Sequence, residues 1–237
     1  MNVRKDDNSM KYNSVLQGEF VSRPNRFISN VLIDGIPVVA HVKNTGRCRE
    51  LLIPGAEVYL EKTDNPHRKT KYDLIGVRKS NGLLINIDSQ APNKVVRGWL
   101  NQQSLDLIQP EYAYGNSRVD FYLKKGDQSF LMEVKGCTLE KNGIGFFPDA
   151  PTERGTKHLK ELRRAVSEGY TAAIVFVIQM NGVSEVRPNT ETDPQFAKAL
   201  DEAEKAGVKV LFLMCHVEPD RIEAVRSNHS IFKSDNN

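Results

Sequence analysis

Three ionisable residues sit inside runs that otherwise read as β-strand. Asp120 lies in Arg118-Val119-Asp120-Phe121-Tyr122-Leu123, and thirteen positions later Phe130-Leu131-Met132-Glu133-Val134-Lys135 carries Glu133 and Lys135. Strand side chains repeat every two residues. Val119, Phe121 and Leu123 therefore share one face with Asp120 on the other, and Glu133 shares a face with Lys135. Two carboxylates beside an ammonium on one sheet surface can hold a hard divalent cation next to a cationic group, as metal-dependent phosphodiester hydrolysis requires. A solvated sheet face or a structural ion pair would use the same residues. Against that, the run 171–179 is too apolar for a wet edge, and burying charge without a partner or a metal is costly.

A predicted helix over 152–168 follows this pair of strands. Arg154, Lys157, Lys160 and Arg164 recur on it at three- and four-residue steps, opposite an apolar stripe of Leu159, Leu162 and Val166, with Gly169 just past its end. Its N-terminal end should lie close to the acids, where a helix N-terminus with Arg154 and Lys157 can hold a phosphate. His158 belongs either to that site or to the surface.

The elements that must position these residues fall into two blocks. Residues 12–90 read as β structure, with strands over 15–21, 26–33, 36–43, 56–62, 71–78 and 83–88. Asp34-Gly35 and Asn81-Gly82 supply the positive φ angles of tight hairpin turns. Ile36, Val38, Ala40 and Val42 alternate with Pro37, Val39, His41 and Lys43, giving one apolar face. Many short strands without a long helix favour a small closed barrel. Its loops carry Arg47 and Arg49 in one place and Arg68, Lys69 and Lys71 in another, cations suited to a nucleic-acid backbone but equally to solvent. From 91 onward the pattern becomes helix 93–108, strands 118–124 and 129–138, helix 152–168, strand 171–179, helix 196–206 and strand 208–216, with a polar, frayed tail after Pro219. That order describes an α/β sandwich.

Composition sets bounds. The chain has 237 residues, 39% hydrophobic and 27% charged, enough for one large or two modest cores. No apolar run approaches the roughly 18 residues of a membrane span, and residues 1–9 read as a disordered leader with no secretory signal. Cys48, Cys137 and Cys215 are sparse, odd in number and outside any metal-knuckle spacing, which fits a reducing cytoplasm. The net charge of +3 is uneven: residues 1–90 carry 14 Lys and Arg against 10 Asp and Glu, and residues 91–237 carry 19 against 20. A basic front half points to a polyanionic partner.

Several stretches together resemble the sugar fermentation stimulation protein A (SfsA) family. They are Asn44-Thr45-Gly46-Arg47, Asp64-Asn65-Pro66, Tyr114-Gly115-Asn116-Ser117-Arg118-Val119-Asp120-Phe121, Glu133-Val134-Lys135, and the long run Phe147-Pro148-Asp149-Ala150-Pro151-Thr152-Glu153-Arg154-Gly155-Thr156-Lys157-His158-Leu159. The likeness spans about Tyr12 to Pro219. It implies an N-terminal OB-like β-barrel over 12–90 and a C-terminal PD-(D/E)xK restriction-endonuclease-like α/β domain over 91–225. It also implies sequence-nonspecific DNA binding and a role in regulating sugar (maltose) metabolism. On the nuclease motif, Asp120 and Glu133 correspond to metal carboxylates for Mg²⁺ or Mn²⁺, and Lys135 to the catalytic lysine. Val119 stands where that motif has proline. The helix opening the second domain offers no inward acid, Glu111 being the nearest, so a second ion is left open. The DNA-contacting residues expected are Arg47, Arg68, Lys69, Arg118, Arg154 and Lys157. Two readings follow: a metal-dependent phosphodiesterase that binds DNA, or a non-catalytic DNA-binding regulator on a nuclease-like scaffold. Neither fixes the oligomeric state.

Overall fold

The computed structural model describes residues 9–44 and 46–232, so the leader expected over 1–9 lies, Ser9 apart, outside the described residues. A short β1 (Met10–Lys11) precedes the barrel strands β2 (Val15–Asn25), β3 (Ile28–Ile33), β4 (Ile36–Val42), β5 (Glu57–Lys62) and β6 (Tyr72–Arg78), with β7 (Leu84–Asn86) added at the edge of β6. β2, β3 and β4 pair antiparallel in turn. β4 then meets β6 in parallel through Ala40–Tyr72, His41–Asp73 and Val42–Leu74, and β6 returns through β5 to β2. The five strands close into a ring, filled by Phe20, Val31, Ala40, Val42, Val58, Leu60, Leu74 and Val77. Register shifts within β2 and β5 supply the bends that closure needs.

Asp34 and Gly35 both take positive φ (52° and 76°), as a two-residue hairpin turn demands. At Asn81-Gly82 only Gly82 does so, and Lys79 N–H reaches Leu83 O around a longer turn. The apolar face expected along β4 is buried only in its second half: Ala40 and Val42 point into the barrel, whereas Ile36 is 65% exposed.

The second domain contains α1 (Ala91–Asn101), β8 (Leu107–Tyr114), β9 (Ser117–Lys125), β10 (Gln128–Cys137), β11 (Leu139–Lys141), β12 (Ile144–Phe147), α2 (Glu153–Ser167), β13 (Thr171–Ile178), β14 (Val186–Pro188), α3 (Pro194–Lys205), β15 (Lys209–Glu218) and β16 (Arg221–Ser227). Seven strands form one sheet in the order β1-β16-β15-β13-β10-β9-β8. Its centre, β10-β13-β15, is parallel and its flanks are antiparallel. β13 is buried on both faces: Ala172, Ile174 and Phe176 join the core beneath α2 and α3, and Ala173, Val175 and Val177 join that beneath α1.

Two sequence expectations need correction, and one sheet went unread. The first helix stops at Asn101, not 108. Leu107 fits the helical spacing by coincidence and instead begins β8, opposite Lys124. The stretch after Pro219 is not frayed: Arg221–Ser227 forms β16, paired with β15 on one side and β1 on the other. A three-stranded sheet, β11-β12-β14, was not legible, because strands of three or four residues carry too few side chains to show alternation. α2 begins within one residue of its expected start and α3 two residues before its own, at Pro194, each for a chemical reason. Thr152 Oγ1 accepts from Gly155 N–H (3.0 Å) and Asp193 Oδ1 from Phe196 N–H (2.9 Å), satisfying amides that no helical carbonyl reaches.

The two blocks are joined by buried polar contacts. Gln179, just past β13, donates through Nε2 to Asn86 O, Asn86 Oδ1 and Asp88 O (3.1, 3.0 and 3.1 Å), and within the first block Tyr12 Oη braces Asp88 by donating to its Oδ2 (3.2 Å). Gly136 leaves room for this: a Cβ there would run into Gln179 Oε1 and approach Pro92 Cγ to 2.9 Å.

Candidate metal and phosphate site

The site forms where the β9–β10 ladder ends. The two strands pair from Gln128–Lys125 to Met132–Phe121, and the same register carried one step further sets Glu133 beside Asp120, whose carboxyl feels its charge. Backbone pairing stops at that point. Asp120 Oδ2 instead accepts the Val134 amide (2.7 Å), and Oδ1 accepts from Asn93 Nδ2 on α1 (2.9 Å). The carboxylate is thereby fixed in the gap between the strands.

Glu133 is 2% exposed. Its Oε1 receives Lys135 Nζ at 2.5 Å and also contacts His158 Nδ1 from α2. Arg154 Nε donates to His158 Nε2 (3.4 Å), which makes Nε2 the acceptor and leaves the Nδ1 proton for Glu133. Glu133 Oε2 is buried and has no hydrogen-bond partner among the described residues. An orphaned carboxylate oxygen is costly unless something electropositive meets it.

The electrostatics separate the two acids. Burial, and then the negative charge of Glu133, push the Asp120 carboxyl above its usual range, although the Val134 amide and Asn93 oppose this. Burial also acts to raise Glu133, but the His158 hydrogen bond and the Lys135 charge outweigh it and hold that carboxyl below its ordinary value. Two adjacent, desolvated carboxylates, one strained toward protonation and one with an unmet oxygen, form a donor set that a hard divalent ion suits. Among the described residues no three Asp, Glu, His or Cys side chains converge as a closed metal cage. An ion here would complete its shell with backbone carbonyl, water or phosphate oxygens.

The structure brings Asp120, Glu133, Lys135 and, through His158, Arg154 into one cluster. Lys157 lies on the outer side of α2, reaching Asn116 O (3.4 Å) and Glu161 (4.0 Å), and Arg118 is exposed two residues from Asp120. Arg47 and Lys69 are exposed on barrel loops. Arg68 is held by Asp73 in a bidentate pair, with Nη1 at 2.7 Å from Oδ2, so Lys69 is the freer cation of that loop. Glu111 is an exposed β8 residue in the left-handed region (φ 51°) and is no inward acid. Asn93 and His158 are the site residues sequence reasoning undervalued. A histidine in line with Leu159 and Leu162 on an apolar helix stripe was the one available signal.

A closed five-stranded OB barrel followed by a mixed α/β domain defines the class of protein. The description "SfsA N-terminal OB domain" matches residues 21–87, and "Sugar fermentation stimulation protein RE domain" matches residues 90–221. The chain belongs to the sugar fermentation stimulation protein family. It is 57% identical to the sugar fermentation stimulation protein homolog of Desulfitobacterium hafniense (strain DSM 10664 / DCB-2), over 91% of this chain and 95% of that protein. It is 53% identical to that of Clostridium beijerinckii, over 90% and 96%. A solved structure of Pyrococcus furiosus SfsA in complex with Ca²⁺ matches with a TM-score of 0.81 and 30% identity, covering 92% of this chain and 96% of that one. Among the described residues no helix is long and apolar enough to cross a membrane.

Proposed function

We propose that the protein binds DNA without sequence preference and carries a Mg²⁺- or Mn²⁺-dependent phosphodiesterase site at Asp120, Glu133 and Lys135. The observation that carries this reading is the buried Glu133 Oε2, without a hydrogen-bond partner among the described residues, beside the carboxylate of Asp120. The Ca²⁺ complex of the Pyrococcus furiosus relative supports a divalent-ion site in this fold.

Asp120 and Glu133 would hold the ion, with the Val134 carbonyl as a third oxygen. When bound, such an ion polarises a phosphoryl oxygen and lowers the pKa of a coordinated water. The chain's own residues do the rest. Asn93 and the Val134 amide orient Asp120, and His158 and Lys135 orient Glu133. Lys135 offers its ammonium to charge developing on phosphorus. Arg154, in the first turn of α2, steadies the adjoining phosphate, with Lys157 and Arg118 next along the strand. Arg47 and Lys69 extend the cationic track across the barrel, and Arg68 braces its loop through Asp73.

The test is cleavage of single- and double-stranded DNA by purified protein with Mg²⁺ and Mn²⁺. Cleavage lost in Lys135→Ala supports the reading, and no cleavage of either form sinks it. One observation favours a second reading: Lys135 is already paired with Glu133 at 2.5 Å. In that case the network is a scaffold, and the protein is a non-catalytic DNA-binding regulator of sugar metabolism.

A further inference from the structure

The β2–β3 hairpin tip and the loop after β4 enclose a basic groove. It occupies about 370 Å³, is walled by Arg23, Arg26, Arg47 and Arg49 and floored by Phe20 and Leu52, and among the described residues no carboxylate lines it. Among the described residues, none of the four arginines forms an ion pair.

The groove is held in shape from within. Arg23 Nη1 donates to Gly46 O (2.9 Å) and Arg47 O (2.6 Å), and Nη2 donates to Arg26 O (2.7 Å) and Asn44 O (2.8 Å). One guanidinium thus ties the hairpin tip to the loop. Arg26, Arg47 and Arg49 are left facing solvent. At the rim, Phe27 is 48% exposed, and the Arg26 guanidinium lies 5.3 Å from its ring centroid. An aromatic ring on a hairpin tip, next to unpaired arginines, is a surface on which an unstacked base and its phosphates can be held together. Gly46 abuts Asp149, three residues before the N-cap of α2, so the groove adjoins the segment that leads into Arg154 and His158.

We propose that Phe27, with Arg26, Arg47 and Arg49, forms a stacking cradle for an unpaired nucleotide, so that single-stranded DNA is the preferred ligand and the cradle presents it toward the α2 end of the nuclease-like domain. This rests on the DNA-binding reading above and adds the form of DNA to it. A paired base would be of little use to Phe27, because its faces are already stacked.

The experiment uses the full chain with EDTA present, so that cleavage plays no part. Fluorescence anisotropy compares a labelled oligo-dT strand with a matched duplex. Phe27→Ala should weaken oligo-dT binding about tenfold and leave duplex binding unchanged, and Phe27→Trp should retain the wild-type affinity. Arg47→Ala with Arg49→Ala should weaken both forms and flatten the single-strand salt slope by about 1.4. Phe27→Ala binding oligo-dT like wild type, or losing both forms equally, overturns the cradle while leaving DNA binding intact. Wild-type protein that binds neither form overturns the DNA-binding reading itself. A Phe27-dependent dimer without DNA would assign the patch to a second copy of the chain and also overturn the cradle.

Discussion

His158 hydrogen-bonds through Nδ1 to Glu133 Oε1, the same oxygen that receives Lys135. One carboxylate oxygen is therefore doubly occupied while the other, Oε2, is left for a ligand. His158→Ala should weaken Mn²⁺ affinity about 10–100-fold, as the loss of a group that orients a metal ligand does elsewhere. His158→Asn, whose amide can replace the Nδ1 donor, should retain most of it. Calorimetric titration of Mn²⁺ into each variant checks this, and equal affinities would show that the histidine orients nothing.

Asp120 pays for its position in stability. Burial and the charge of Glu133 disfavour its ionised form in the folded chain. Asp120→Asn should raise the melting temperature by a few degrees in metal-free buffer at neutral pH. Added Mn²⁺ should stabilise the wild type but not the variant, since only a ligand that binds the native state shifts its stability. Thermal melts with and without metal distinguish this from a structural carboxylate, whose loss would lower the melting point in both buffers.

The barrel holds a second charge cluster, with the opposite sign of pH dependence. Burial alone would raise Asp73, but the Arg68 hydrogen bonds and the Lys43 charge hold its carboxyl below the ordinary value. A depressed folded-state value contributes stability that is present above the unfolded value, near 3.8, and is lost as pH falls through the folded one. Asp73→Asn should cost about 1–3 kcal/mol at pH 7, because Arg68 loses its bidentate acid while Lys43 keeps Glu61 and Asp88. The difference from wild type should shrink in acid below the usual carboxylate range. Urea unfolding across that range measures it, and a pH-independent gap would contradict the assignment.

Gly136→Ala tests the joint between the blocks. The added methyl meets Gln179 and Pro92, and Gln179 is the side chain that gathers Asn86 and Asp88. A destabilisation of about 1–3 kcal/mol is expected. Pairing it with Gln179→Ala in a double-mutant cycle should reduce that cost, because the clashing oxygen is gone.

The parts legible in the sequence were those with a strong local signal. Asp34-Gly35 fixed one hairpin, and Asp120, Glu133 and Lys135 stood out as charges in apolar strands. The apolar stripe and Gly169 marked α2 closely. The parts that were not legible depend on partners distant in the chain. β16 is polar and becomes a strand only because β15 and β1 flank it. Leu107 obeys a helical period yet pairs with Lys124. The burial of His158 is decided by Glu133, 25 residues away, and Asn93 has no local signal that it will hold Asp120.

Direct metal binding tests the central claim best. Calorimetric titration of Mn²⁺ into wild-type protein, Asp120→Asn and Glu133→Gln should show one ion bound by the wild type and none by either variant, with affinity for DNA in EDTA unchanged across the three. Variants that bind Mn²⁺ as the wild type does would contradict the account, because the carboxylates at the end of the β9–β10 ladder would then not be its ligands.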